Sequence, residues 1–464
     1  MQQIRFIHTN DIHSHFENWP RIRRFIKQQQ KDAVQKGVDH ITLDIGDFMD
    51  RQHPLTDYTN GQANVRLMNQ VDYDAVTIGN NEGITNSHAQ LNDLYNKSNF
   101  DVVLSNLKDK EINDTPKWAV THKIITTKNG IKIGIMGLTA PMTLTYEPFG
   151  WQVLDVDVML AKELTELKEE QVDCIVLLSH LGLPVDKHIA DGFPSIDIIF
   201  GSHTHHLLEN GLMRNGVLLA AAGRFGEYIG IVETVLDDNT NTVINKIASV
   251  TKTEDLPMQK SDSFEIRELE MLGLNGLKNQ VITVLKRPLL REDSSLISLT
   301  ADAMRSEGET AISFINSGLF LTDLLVGNLT ALDLHQCLPH PMNLINVKLK
   351  GNELIRLVLE IEKNRDFLRN FPIVGMKFRG KVFGEMWYHG LKYDTLTKKV
   401  IFPDGSFVKA DRFYTVTTVD HLLFLPFFPT LELAGETTLL GPKFLRNVLG
   451  DYLKKINSDE QVRK

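Results

Sequence analysis

Cysteine is almost absent. Only Cys174 and Cys337 occur among 464 residues, which excludes a thiolate metal site, and Cys174 lies inside the apolar run DCIVLLSH, where a buried thiol is expected rather than a disulfide partner. That pattern suits a reducing compartment. Dense basic stretches are missing as well: 50 Lys and Arg against 59 Asp and Glu give a formal charge of −9. Polymeric nucleic acid therefore finds no phosphate-backbone footprint. The longest late apolar stretch, LLFLPFFPTL from Leu422 to Leu431, is too short for a bilayer and is broken by Pro426 and Pro429, so no membrane anchor is expected. The opening MQQIRFIHTND enters a strand at once and lacks a basic segment followed by an apolar one. A cytoplasmic protein without a signal or transit peptide is the expectation, and oligomeric state stays open.

What is present is a long series of short apolar runs. IRFIHTND, HITLDIGD, DAVTIGN, DVVLSN, KIGIMGLTA, DCIVLLSH, SIDIIFGSHTH and VLLAAAG suit strands buried on both faces. Stretches such as Trp19 to Lys36 and Leu160 to Glu170 are long enough for crossover helices. This predicts a layered α/β domain over residues 1–255. Residues 256–288 read as a linker: Phe264, Ile266, Leu269, Leu272, Leu277, Val281, Val284 and Leu285 recur at helical spacing, and Pro288 stops the helix. Residues 289–464 then mix a helix, LISLTADAMRSEG, with strands AISFINSG, NLINVKLKG and RFYTVTTVD, which predicts a second α/β domain.

Polar residues collect where the apolar runs end. Asp11 and His13 follow the first run, Asp47 the second and Asn80 the third; His180 ends DCIVLLSH, and His203 and His205 end SIDIIFGSHTH. Open α/β sheets bind ligands beyond the carboxyl ends of their strands, so seven residues spread over nearly two hundred positions can converge. Carboxylate, amide oxygen and imidazole together suit a borderline divalent ion, Mn, Fe, Co or Zn, rather than an all-oxygen calcium or magnesium cage. Taken singly, each motif has a plain alternative: Asp11 as a helix cap, GDFMD as a turn, HTHH as a solvated cluster. Their order and shared position at strand ends favour the metal reading.

Asp11-x-His13, Gly46-Asp47-x-x-Asp50, Gly79-Asn80, His180 and Gly201-x-His203-x-His205 resemble, in that order, the signature of the calcineurin-like metallophosphatases. HTND, AAGRFGEYIG and a later FINSG further resemble the bacterial 5′-nucleotidase, UDP-sugar hydrolase and cyclic-nucleotide phosphodiesterase family. The resemblance implies a four-layer αββα metallophosphatase domain followed by a substrate-binding α/β domain, and two divalent ions bridged by Asp47. Asp11, His13 and His205 would complete one ion's sphere, and Asn80, His180 and His203 the other's. A bridging hydroxide would attack a nucleotide or related small phosphate in line.

Two departures stand out. The family's Gly-Asn-His-Glu, followed by a second carboxylate two places on, is here Gly79-Asn80-Asn81-Glu82-Gly83-Ile84, so Asn81 replaces a histidine that assists catalysis and Ile84 replaces its orienting acid. An amide donates a hydrogen bond but no proton. His15, His53, His88 and His206 are the histidines that could move into the vacancy. In the second domain Asn316-Ser317-Gly318-Leu319-Phe320-Leu321 stands where the family often has Asn-x-Gly-Gly-Ile-Arg, and LFLPFF replaces a glycine-rich segment. Phe378 falls roughly where a base-stacking ring would lie, with Arg379 as a phosphate or ribose contact; a core phenylalanine beside a solvated arginine is the competing reading. Two functions follow: a two-metal phosphoesterase, or a metal- or nucleotide-binding protein with impaired turnover. The intact ligand set favours the enzyme, because seven correctly typed side chains have no evident structural use without metals.

Overall fold

The computed structural model of the protein describes residues 2–373 and 378–462. Two compact units emerge, residues 1–273 and 274–464. In the first, a seven-stranded sheet runs in the order Val243–Lys252, Tyr228–Leu236, Gln2–Thr9, Asp39–Asp44, Ala75–Val76, Asp101–Val103, Ala119–Val120. Its strands from Gln2–Thr9 onward pair in parallel. A six-stranded sheet follows the order Leu212–Arg214, Val217–Ala220, Ile198–Gly201, Cys174–His180, Lys132–Thr139, His122–Thr126. Its four inner strands are also parallel.

Period-two alternation explains the layers. Ile133, Ile135, Val176, Leu178, Ile198 and Phe200 share one buried cluster with Ile4, Phe6, Ile41 and Leu43 of the larger sheet. Their neighbours Met136, Leu177 and Ile199 point the other way, into a cluster with Leu160 and Leu167 of helix Val156–Glu169 and Ile189 of helix Leu183–Gly192. Successive strand residues face opposite sides, so apolar character at every position requires cover on both. Helix Trp19–Gln35 supplies it on the larger sheet, lying against Asp39–Asp44 and burying Trp19, Ile22 and Ile26. Helix, sheet, sheet and helix are the four layers that the resemblance implies.

The second unit is built on a five-stranded sheet ordered Met386–His389, Ile312–Asn316, Phe413–Val419, Asn343–Lys350, Glu436–Phe444, with helices Ser295–Gly308, Gly351–Arg369 and Leu445–Val462. Here the linker differs from its sequence reading. The helix runs Lys260–Lys278 and ends there, and the division between the units falls inside it. Val281, Val284 and Leu285 belong instead to strand Val281–Leu285, antiparallel to Gly327–Thr330. The run VITVL is rich in β-branched residues, and pairing with a partner strand outweighs a helical spacing that merely continued across Asn279 and Gln280. Among the described residues no helix is long and apolar enough to cross a membrane.

The two sheets of the first unit approach closely at Gly137, where an added Cβ would overlap the Val103 carbonyl, and the Gly137 carbonyl accepts from Ser105 N at 2.7 Å. Gly137→Ala should therefore cost about 1–3 kcal/mol through overpacking and lower the urea midpoint of unfolding followed by tryptophan fluorescence. Gly192→Ala, with open space around the added Cβ, is the control. Equal midpoints for the two variants would contradict this packing account.

Candidate metal centre

Parallel strands end on the same side of a sheet, and the candidate ligands sit just past those ends. Asp11 and His13 follow Gln2–Thr9, Asp47 follows Asp39–Asp44, His180 is the last residue of Cys174–His180, and His203 and His205 follow Ile198–Gly201. The loops are tied to one another by backbone bonds: Asp11 N to Gly46 O at 3.0 Å, and His13 N to Asp47 O at 2.9 Å. Of the sixteen described non-glycine residues with positive φ, five are Asp11, His13, Asp47, His203 and His205. Left-handed backbone is costly for residues with a Cβ and persists where surrounding contacts enforce it, often at functional sites. Gly79 is needed for a different reason. A Cβ there would overlap Asp47 Oδ1 and His180 Cε1, so only glycine lets the third loop close on the other two.

The side chains form a small bowl. His13 Nε2 lies 3.2 Å from His205 Nε2, 3.8 Å from Asp11 Oδ1 and 3.7 Å from Asp47 Oδ2; His205 Nε2 is 3.5 Å from Asp11 Oδ1. On the other side of Asp47, Oδ2 is 3.4 Å from His180 Nε2, which is 3.3 Å from Asn80 Oδ1. Asp11, His13 and His205 could hold one metal ion, and Asp11, Asp47 and His180 another. His203 lies further out, its ring centroid 5.2 Å from that of His180. All seven predicted ligands thus gather in one place.

The electrostatics fit a metal. Asp11 is 0% and Asp47 2% exposed, and the ion pairs that either makes are to imidazoles. Burial alone would raise both carboxyls, yet the surrounding histidines outweigh it and hold both below the usual range. In return, burial works against charge on His13 and His180, but is overcome by hydrogen bonding to Asp11 and Asp50 for the first and by the charge of Asp47 for the second. The rings are pushed up to about 10 and about 9. His203 and His205 shift downward, chiefly by burial, with His180 adding to the effect at the first and His13 and Arg224 at the second. Buried carboxylates with only titratable cations around them, beside oxygen and nitrogen donors, are what a divalent ion replaces favourably. Two second contacts orient the donors. His180 Nδ1 donates to Ile45 O at 2.8 Å, leaving Nε2 for the bowl, and Ser202 Oγ donates to Asp11 Oδ2 at 2.6 Å.

Several residues that matter here carried little signal in the sequence. Glu82 accepts from Asp47 N and Gly79 N with one oxygen, both at 2.9 Å, and from Met49 N with the other at 3.0 Å, clamping two loops together. Burial and the charge of Asp47 push its carboxyl up to about 7. Asn10 spans the gap to the Ala222–Gly223 loop. Asn81, 8% exposed, is not idle: its amide meets His13 Nδ1 at 2.8 Å and donates to Met49 O at 3.0 Å. Ile84 is 2% exposed. Of the histidines that could replace the missing one, His53 caps helix Pro54–Thr59, His88 bonds Asp109 and His206 bonds Thr204. His15 stacks on Phe225 with centroids 4.0 Å apart.

In the second unit Phe378 is 4% exposed and stacked on His340, centroids 5.0 Å apart. A nucleobase could use that face only by displacing His340. The Arg379 backbone N donates to His340 Nδ1 at 2.8 Å and its guanidinium reaches the Phe378 carbonyl at 3.4 Å. Asn316 is fully buried and donates to Phe383 O at 2.8 Å.

With their rings pushed up to about 10 and about 9, His13 and His180 favour a proton that a metal-ligating nitrogen cannot keep. Loading the metal-free protein with Mn²⁺ at pH 7.5 should therefore release about two protons, and affinity should rise with pH up to about pH 10, above which both rings are neutral unaided. Calorimetric titrations in buffers of contrasting ionisation enthalpy measure this directly. Heats independent of the buffer would contradict it.

Residues 4–207 match the model for calcineurin-like phosphoesterases and residues 278–424 that for the 5′-nucleotidase C-terminal domain. The chain is 38% identical over 460 residues to YunD of Bacillus subtilis (strain 168), an uncharacterized metallophosphoesterase, covering 97% of this chain and 98% of that one. In fold it is similar to a putative 5′-nucleotidase of Staphylococcus aureus solved with α-ketoglutarate, with TM-score 0.66, 16% identity and coverage of 97% and 96%. It is also similar to the NAD nucleotidase of Haemophilus influenzae, with TM-score 0.65, 15% identity and coverage of 98% and 96%. The chain belongs to the calcineurin-like phosphoesterases that carry a 5′-nucleotidase C-terminal domain, and it is a metal-dependent phosphoester hydrolase.

Proposed function

We propose that the protein hydrolyses nucleotides or closely related small phosphates with two divalent ions, of Mn, Fe, Co or Zn type, held on either side of Asp47. The observation that carries this reading is Asp47 itself: one buried carboxylate oxygen stands 3.7 Å from His13 Nε2 and 3.4 Å from His180 Nε2. Asp11, His13 and His205 would hold one ion, and Asn80, His180 and His203 the other. When bound, such ions acidify a coordinated water and neutralise phosphoryl oxygens.

The chain's own groups do the rest. Glu82 fixes the Asp47 and Gly79 backbones, and Ile45 O and the Asn81 amide orient His180 and His13. Asn81 has no proton to give to a departing alkoxide, so the site favours leaving groups that carry their own charge, such as phosphates released from anhydrides or phenolates from aryl esters. The two cysteines, both buried and free, support a cytoplasmic location.

Mn²⁺-loaded wild type should hydrolyse an activated aryl phosphodiester, and Asp47→Asn should reduce kcat/KM by more than about 100-fold, beyond the 10- to 100-fold typical of residues one step removed from a metal. Inertness of both proteins with several divalent metals would sink the reading. The paired change Asn81→His with Ile84→Asp tests the leaving-group argument. It should raise the rate on a nucleoside monophosphate by up to about 10²- to 10⁴-fold and do far less for a nucleotide-sugar anhydride. Because position 84 is buried, the new carboxylate needs the new imidazole as its partner. Parallel changes on both substrates would contradict the role assigned to Asn81.

A further inference from the structure

The rim of the bowl carries an aromatic ring that none of the ligand motifs accounts for. Phe225 is in the left-handed region at φ 59°, a conformation costly for a side chain of that size. Two bonds hold it there: its N donates to Asp11 O at 2.7 Å and its carbonyl accepts from Asn18 Nδ2 at 2.9 Å. The consequence is positional. The half-buried ring lies among three imidazoles, its centroid 4.0 Å from that of His15, 5.7 Å from His13 and 6.2 Å from His205.

Over this ring sits the exposed guanidinium of Arg224, its Cζ 4.6 Å from the centroid. Arg224 makes no ion pair with a carboxylate among the described residues, as is also so for Arg21, Arg66 and Arg267 in the same unit, but Arg224 alone of these stands over a ring at the rim of the bowl. Cation–π contact orders a guanidinium while leaving its five N–H donors unspent. A planar fork of that kind matches the oxygens of a phosphate.

We propose that Arg224, mounted on Phe225, is the contact for a second phosphoryl group of the substrate, so that the enzyme prefers phosphoanhydrides over monophosphate esters. This rests on the phosphoesterase reading above and deepens it. The two departures at the site then act together: Asn81 withholds a proton from the leaving group, and Arg224 offers a fixed positive charge to one that is already anionic. An anhydride gains from the second and does not miss the first. A nucleoside alkoxide carries no phosphoryl oxygen for Arg224 to grip.

The test compares wild type, Arg224→Ala and Arg224→Lys, each as the full Mn²⁺-loaded chain, on a nucleoside diphosphate sugar and on an aryl monophosphate. In Arg224→Ala the ratio of kcat/KM for the diphosphate to that for the aryl ester should fall about tenfold, mainly through KM, with partial recovery in Arg224→Lys. Binding gives a second readout: calorimetric affinity for inorganic pyrophosphate should drop about tenfold relative to that for inorganic phosphate. An unchanged ratio, or equal loss on both substrates and both anions, overturns the assignment of Arg224 while leaving the phosphoesterase reading intact. Wild type inert on both substrates overturns the two together.

Discussion

Two carboxylates taken out of water without a permanent cation are the constraint on which the first unit is built. Asp11 and Asp47 are essentially inaccessible, and an isolated buried carboxylate costs several kcal/mol even after relaxation. Lysine or arginine would neutralise them and close the site. Imidazoles neutralise them only while protonated, so a divalent ion can take the protons' place. Much of the surrounding sequence serves that arrangement. Parallel strands from two sheets end together, five of the candidate ligands hold left-handed backbone, and Gly79 allows the third loop to close without colliding with Asp47.

The same constraint shapes the chemistry. Asp11, Asp47 and His180 are buried at the floor of the bowl, and His205, His203 and Asn80 lie nearer solvent. Within the first unit the departures from the family pattern lie outside the candidate ligand set, at Asn81 and Ile84. Asn81 keeps a structural contact with His13 and Met49 while losing the proton that a histidine would carry. The candidate metal ligands and the two altered positions are thus different residues in this chain.

The convergence of the candidate ligands was legible in the sequence because each of them ends an apolar run and has a ligating type, two local signals that coincide at several separate places. The layers were legible for a similar reason, since IVLL and IDIIF alternate between two covered faces. Long-range bonding left no such trace. Glu82 reads as one more acid in a helix, and only the fold shows both of its oxygens spent on backbone N–H groups of two loops. Asn10 and Phe225 likewise acquire meaning through partners about two hundred residues away. The linker shows the opposite failure: helical spacing continued into Val281–Leu285, but strand pairing with Gly327–Thr330 decided the conformation. Phe378 was placed by a motif position, which says nothing of the His340 ring stacked against it.

The central claim is that Asp47 lies between two cation sites made by this chain. Crystals grown with Mn²⁺ and measured on both sides of the manganese absorption edge test it most directly. The account predicts two anomalous peaks flanking the Asp47 carboxylate, one beside Asp11, His13 and His205 and the other beside Asn80, His180 and His203. A lone peak that does not touch Asp47, or a bowl with no anomalous signal at saturating Mn²⁺, would contradict it.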